Sequence, residues 1–306
     1  MPRPISRDAI FGKLVRAFSR DMERIHDGDA AALHRTRVAS RRLRELLPIL
    51  GLERDQVRKL SRRLKKVTRR LGTVRELDVH ALLVRELSGN RGYPPMALRE
   101  LATSIAAAQS SARARLATKL PLAKLKRLAR RLERAIGQRD SKHEDDARTR
   151  RVNAKRSWLW ALDARSVRRA THLMASIGAT SALYVPEQLH EIRIALKKLR
   201  YAEELRAEAG ARPSPDLATL KTAQDLLGRL HDLELLVARA REAQALMSAS
   251  HLMACHQLGL VVRVLEENCR RLHGRHMRQR AQLVAIAIGI AKMAGKPADV
   301  QARAAG

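Results

Sequence analysis

Apolar residues recur at spacings of three and four positions along almost the whole chain of 306 residues. This is the period of an amphipathic α-helix, and no segment alternates convincingly as a half-buried β-strand would. Glycine, proline and short polar clusters interrupt the pattern at turns. The sequence therefore predicts an all-α protein with helices over residues 6–25, 29–49, 53–71, 73–88, 95–119, 121–137, 162–182, 187–208, 215–227, 229–247, 251–273 and 276–294.

Part of this pattern occurs twice. Residues 33–44 read LHRTRVASRRLR and residues 189–200 read LHEIRIALKKLR, with six identical positions. At the same fixed offset, LGTVRELDV matches LGRLHDLEL, and Lys65 matches Lys221. Gap-free matches of this kind indicate an internal duplication. The predicted organisation is a first helical half (6–137), a charged connector (138–161), a second helical half (162–294) and a frayed tail (295–306).

Each copy carries a basic stripe beside a leucine-rich face. On a helical wheel, the histidine and the stripe cations share an arc of roughly 80°. Residues 33–44 contain no acid and the second copy contains only Glu191, whereas a solvated helix face normally interleaves glutamates. An anion site is therefore favoured over a merely solvated face. The candidate binding residues, including cations of the following helix, are His34, Arg37, Arg41, Arg44, Arg62, Lys65, Arg69, His190, Arg193, Lys197, Arg200 and Lys221.

Charge narrows the class of partner. Sixty-two Lys and Arg against 31 Asp and Glu give a net charge of +31, which calls for a polyanion. Only seven residues are aromatic and none lies in the stripes, so the base-stacking platform of single-strand binders is missing. Stripes bordered by apolar faces indicate an enclosed groove, unlike the exposed basic helix that docks on duplex DNA. A phosphate polymer needs only charge and forked donors, which arginine supplies.

Neither a membrane nor a secretory route is expected. The most apolar run, LVAIAIGIA (283–291), is too short to span a bilayer. The N-terminus has no apolar stretch of the signal-peptide type, and the two cysteines cannot form a disulfide framework or a zinc quartet. The chain is expected in the cytoplasm.

Signatures of catalysis are lacking as well. There is no phosphate loop, no dinucleotide-binding GxGxxG and no HExxH, and neither histidine of the stripes has a second ligand at helical spacing. The acids of VRELD (74–78) and LHDLE (230–234) are interpreted as helix N-terminal residues, with Thr73 and Glu76 forming a capping box after Leu71-Gly72. Trp158 and Trp160 are expected to be packing anchors. No enzyme, metal or cofactor is predicted.

The doubled pattern HxxRxxxxxLR, each copy followed by LGxxxxL[DE], resembles the CHAD family, the conserved-histidine α-helical domain, over about residues 6–294. The resemblance implies two pseudo-symmetric four-helix bundles around a basic central groove or pore. It also implies binding of inorganic polyphosphate and collection on polyphosphate granules in bacteria. The family's histidine falls on His34 and His190, and its second-helix lysine on Lys65 and Lys221. One departure, His231 in place of Arg75, suggests that the first half binds more strongly.

Two other functions stay open at this point. One is a histone-like, sequence-independent binder of nucleic acid, and the other is a polyphosphate-processing enzyme with the histidines as phosphoacceptors. The main interpretation makes two further predictions. The two stripes should line one continuous site, and the arginines retained in both copies should bind while Leu43 and Leu199 hold the fold together.

Overall fold

The computed structural model describes residues 6–90, 92–140, 147–211, 214–247 and 251–293, and within these ranges the chain contains no strand. All regular structure there is helical, as the period of the apolar residues predicts. The helices are α1 (Arg7–Ser19), α2 (Met22–His26), α3 (Ala30–Leu46), α4 (Arg54–Ser88), α5 (Pro95–Lys119), α6 (Leu122–Asp140), α7 (Ala147–Gly178), α8 (Pro186–Glu208), α9 (Leu217–Ala245) and α10 (Leu252–Met293), with a 3₁₀ turn over Leu47–Ile49.

Three helices are longer than predicted, because internal glycines do not interrupt them. Helix α4 runs through Leu71-Gly72, α9 through residues 227–228, and α10 through the predicted break near 274–275. A glycine inside a helix costs only about 1 kcal/mol, which the burial of leucines on either side readily exceeds. The predicted capping box at Thr73 and Glu76 is therefore wrong. The acids of VRELD and LHDLE lie in the middle of helices and not at their N-termini.

Other boundaries also differ. The predicted helix over 6–25 is divided into α1 and α2. The predicted connector overlaps the end of α6 and the beginning of α7, while residues 141–146 and the predicted tail lie outside the described residues. Trp158 is a packing anchor at 5% exposure, but Trp160 is 72% exposed, so that expectation was wrong for the second tryptophan.

The described residues form three buried apolar clusters. One joins α1–α6 with the first turns of α7 and the end of α8, and a second joins α7–α10. The third lies between the halves, where Leu87 and Leu101 of α4 and α5 pack with Leu236 and Leu265 of α9 and α10. This third cluster joins helices of both halves. The internal duplication and the residue bounds of the halves stay predictions.

The leucine-rich faces of α3 and α8 turn inward and so fix the direction of the basic stripes. Leu43 and Leu199 are fully buried, in the first and second clusters respectively. A buried hydrogen bond of 2.8 Å between the hydroxyls of Ser40 and Thr68 also ties α3 to α4. Helices α3 and α8 contact each other across the boundary between the halves. Their basic stripes therefore meet in the middle of the molecule.

Candidate anion-binding site

Four basic side chains from the two stripes form what we call the central cationic cluster: Arg37 and Arg41 of α3, and Arg193 and Lys197 of α8. Burial, together with the charges of Arg41 and Arg193, lowers the pKa of Arg37 to about 10. Burial together with Arg41, Arg193 and Arg37 lowers the pKa of Lys197 to about 6. Each charge acts on its neighbours across the boundary between the halves. The two stripes thus contribute to one site.

The cluster lacks hydrogen-bond acceptors among the described residues. No side chain of the described residues accepts a hydrogen bond from the four cations or forms an ion pair with them, and Nε of Arg37 is buried without a partner. Partly buried cations without acceptors are unfavourable, because burial removes water that would otherwise solvate them. An anion held between α3 and α8 would supply the missing acceptors and offset the mutual repulsion.

The two histidines of the repeated segment lie at the heads of the stripes in different surroundings. His34 is exposed on α3, and partial desolvation followed by repulsion from Arg75 and Arg37 lowers its pKa. His190 packs its ring 4.7 Å from that of His231, and desolvation followed by His231 lowers its pKa. Both imidazoles are mainly neutral at pH 7 as a result. Each keeps one N–H that can donate to an anionic oxygen.

Among the described residues, two acids act on the pKa of Arg193, and both belong to α9: Asp232 and Glu234. The pKa of Asp232 is raised by burial, against the opposing influence of Arg193, His231 and Arg75. Glu234 also acts on Arg193 but accepts a hydrogen bond of 2.8 Å from the hydroxyl of Tyr184. Neither acid lies within ion-pair distance of Arg193. The second half of the site is therefore less positive than the first, as the replacement of Arg75 by His231 suggests from sequence.

Arg200, the last cation of the second stripe, has protein partners. Arg200 donates from Nε to Gln224 at 2.8 Å, forms an ion pair with Glu204 and lies over the ring of Tyr201. Burial lowers the pKa of Arg44, while neighbouring Glu45 opposes that change. Arg200 is therefore less available to an external anion than Arg37 and Arg193, whereas the side chain of Arg44 has no hydrogen bond or ion pair within the described residues.

Glu45 is the centre of a second group of charges between the halves. Its carboxylate accepts hydrogen bonds from Arg165 and Arg169 of α7, with the shortest N–O distance at 2.6 Å. Lys198 of α8 lies near enough for Arg169 and Glu45 to influence its pKa, which desolvation lowers. Because the acid is shared by two arginines, this end of the groove retains an excess of positive charge.

The remaining predicted site residues are outside the cluster. They are exposed, and none of them forms an ion pair or a hydrogen bond through its side chain within the described ranges. They are Arg62, Lys65 and Arg69 of α4 and Lys221 of α9. None of them is among the strongest charges that act on the pKa of Arg37 or Lys197, and their part in binding stays a prediction.

Sequence reasoning missed Arg75 as a member of the site. Its charge is the strongest of those lowering the pKa of His34, and it also acts on Arg37 and Asp232. Gly72, one turn earlier, lies against Arg37, since a Cβ there would come within 3.5 Å of the guanidinium. The sequence did contain a signal for Arg75, because position 75 matches His231 of the second copy. The ring of His231 packs on that of His190.

Two features are absent from the described part of the chain. No group of three or more histidine, cysteine or acidic residues there is arranged to hold a metal ion. Among the helices described, none combines the length and apolarity needed to cross a bilayer.

Comparison with known proteins gives a family match and two structural neighbours. The model of the CHAD domain matches residues 9–241. No curated protein matches the chain. PptA from Streptomyces chartreusis superimposes with a TM-score of 0.57 at 17% identity, covering 95% of this chain and 98% of that one. The CHAD domain from the plant Ricinus communis gives a TM-score of 0.56 at 22% identity, covering 92% and 89%. At these identities the two structures support the fold.

Proposed function

We propose, from the premise that the chain belongs to the CHAD family, that it binds inorganic polyphosphate between α3 and α8 without transforming it. The observation that carries this proposal is the central cationic cluster. Four cations from two halves of the chain converge there, partly buried, with no acceptor among the described residues. A ligand that brings many closely spaced anionic oxygens is the chemical complement of such a site.

The proposal favours a phosphate polymer over nucleic acid. Stacking of bases needs an open aromatic face. Tyr201, the aromatic residue beside the cluster, is buried, and its ring is covered by Arg200 and Arg42. A polyphosphate chain carries no base and binds through its oxygens alone, which suits the forked donors of arginine. Residence in the cytoplasm and collection on polyphosphate granules belong to the same proposal and rest on the family.

The experiment is a calorimetric titration of the full chain with long-chain sodium polyphosphate at several salt concentrations. By analogy with single strands, the logarithm of affinity should fall with the logarithm of salt by about 0.7 per phosphate contacted, hence by roughly 3 if each cluster cation binds one phosphate. Single-stranded DNA is the competitor, and orthophosphate is assayed in the same samples. Stronger binding of DNA, affinity indifferent to salt, or release of orthophosphate would each contradict the proposal.

A further inference from the structure

Lys197 differs chemically from the three other members of the central cationic cluster. The first copy of the repeat has Arg41 at the matching position, and the remaining members are also arginines. A guanidinium stays protonated across the physiological range even when partly buried, whereas an ammonium loses its proton readily on burial. Lys197 is thus the one cation of this cluster whose charge is able to change near neutral pH.

Charged neighbours surround Lys197 on every element that packs near it. Helix α3 contributes Arg37 and Arg41, and its own helix contributes Arg193 and Lys198. Beyond these, Arg75 of α4 acts on Arg37, Arg169 of α7 acts on Lys198, and His231 and Asp232 of α9 interact with His190 and Arg193. No described side chain accepts a hydrogen bond from Nζ of Lys197.

This arrangement decides the charge of the empty site. Burial and the three arginines lower the pKa of Lys197 to about 6, so its amine is largely neutral at pH 7 to 8 when no anion is present. A bound polyanion reverses the effect of the arginines on this pKa, because it neutralises their charges and supplies oxygen acceptors to the amine. An opposite charge close to a basic group favours its protonated form.

We propose that polyphosphate binding takes up a proton from solvent at Lys197, so that this lysine sets the pH at which the site binds. The inference rests on the proposed function and adds to it a residue that determines affinity. The proton joins the lone pair of Nζ, and no covalent bond to phosphate is formed. At pH 7 to 8, Lys197 is largely neutral in the free protein and becomes the fourth positive charge in the complex.

Linkage gives the size of the effect. When one proton is taken up with the ligand, affinity falls about tenfold for each unit of pH between the pKa of the free state and that of the complex. For this site the window begins near pH 6, the free-state value, and extends upward. Affinity for polyphosphate is therefore expected to decrease about a hundredfold between pH 7 and pH 9.

The test is calorimetry at pH 8 in buffers with different enthalpies of ionisation, which counts the protons taken up on binding. Long-chain polyphosphate is the probe, because its internal phosphates do not titrate in this range and its ends are few. His34 and His190 also acquire charge more readily beside an anion, so the wild-type count includes them. Lys197→Met isolates the share of the lysine, and Lys197→Arg supplies a charge that does not depend on pH. Lys292→Met, at an exposed position in the last turn of α10, is the matched control.

The wild type and Lys292→Met are expected to take up about one proton more than Lys197→Met and Lys197→Arg. Lys197→Arg should also bind more tightly than the wild type at pH 9, with a flatter pH profile. An unchanged proton count in either Lys197 variant overturns the inference while leaving polyphosphate binding intact. If Lys197→Met does not fold, the comparison with Lys197→Arg decides alone. Failure of the wild type to bind polyphosphate overturns both proposals.

Discussion

Replacing Arg37 by methionine should stabilise the protein while it weakens binding. The substitution keeps most of the apolar stem of Arg37 but removes the guanidinium, which lies against Gly72 of α4. Arg37 has no acceptor among the described side chains, and the charges of Arg41 and Arg193 oppose its own. The empty protein therefore carries a free-energy cost that the variant does not.

The magnitude follows from the pKa of Arg37, which falls from the ordinary value of arginine to about 10 in the folded protein. At 1.36 kcal/mol per pKa unit this amounts to about 3 kcal/mol, and screening by solvent at a half-buried group reduces it to roughly 2 kcal/mol. Because the folded-state pKa of a base is lowered, the cost is present in full below about pH 10 and disappears as pH rises toward the ordinary pKa of arginine. At pH 7, Arg37→Met should raise the free energy of unfolding by roughly 2 kcal/mol.

Arg200→Met is the matched control, because it makes the same substitution on the equivalent stripe. Arg200 hydrogen-bonds Gln224 and pairs with Glu204, so its loss should destabilise the protein by about 1–3 kcal/mol. Unfolding is measured by circular dichroism in urea, which is uncharged and does not screen the cluster. Polyphosphate affinity is measured on the same preparations and should drop at least tenfold more for Arg37→Met. The reasoning is refuted if Arg37→Met is the less stable variant, or if the two variants bind equally.

Three other variants test the fold and its charges. Leu43→Ala combined with Leu199→Ala should cost about 2–5 kcal/mol per site in urea unfolding, and a smaller loss would show that these side chains are not the buried supports of the stripes. Glu45→Gln leaves the two α7 arginines without their shared carboxylate and should destabilise by about 3–5 kcal/mol; a neutral effect on the unfolding midpoint would argue against that buried pair. The pKa of His80 is lowered to about 4, mainly by burial, so the free energy of unfolding should fall by about 1.4 kcal/mol per pH unit as pH drops from 6.5 toward 4. His80→Leu should lose that dependence, and an unchanged acid profile in this variant would contradict the reasoning.

The sequence was sufficient for the helices and for their buried faces. A regular three- and four-residue period specifies which side of a helix is apolar, so the burial of Leu43 and Leu199 could be predicted without knowing their partners. The positions of the helix ends could not be predicted where they depended on glycine. Gly72 is a residue typical of helix ends, but packing on both sides of it favours a continuous α4.

The candidate site was predictable residue by residue only in part. Glu204 lies four positions after Arg200, so the ion pair between them is one that helical spacing indicates from the sequence. The convergence of Arg37 with Lys197 was not, because it depends on how α3 and α8 meet in three dimensions. Helical spacing shows that cations share a face, but it does not show which face of another helix lies opposite.

The apolar cluster shared by α4, α5, α9 and α10 has a consequence for the kinetics of binding. Helices α4 and α9 extend from this cluster to the walls of the site, so the spacing of α3 and α8 is established when the protein folds. A preformed site loses little conformational entropy when it is occupied, and ordering then falls mainly on the flexible polymer. Association is consequently governed by electrostatic steering, with an on-rate that slows as salt is added. Long and short polyphosphate chains would associate with the site at similar rates per molecule and differ chiefly in their dissociation rates.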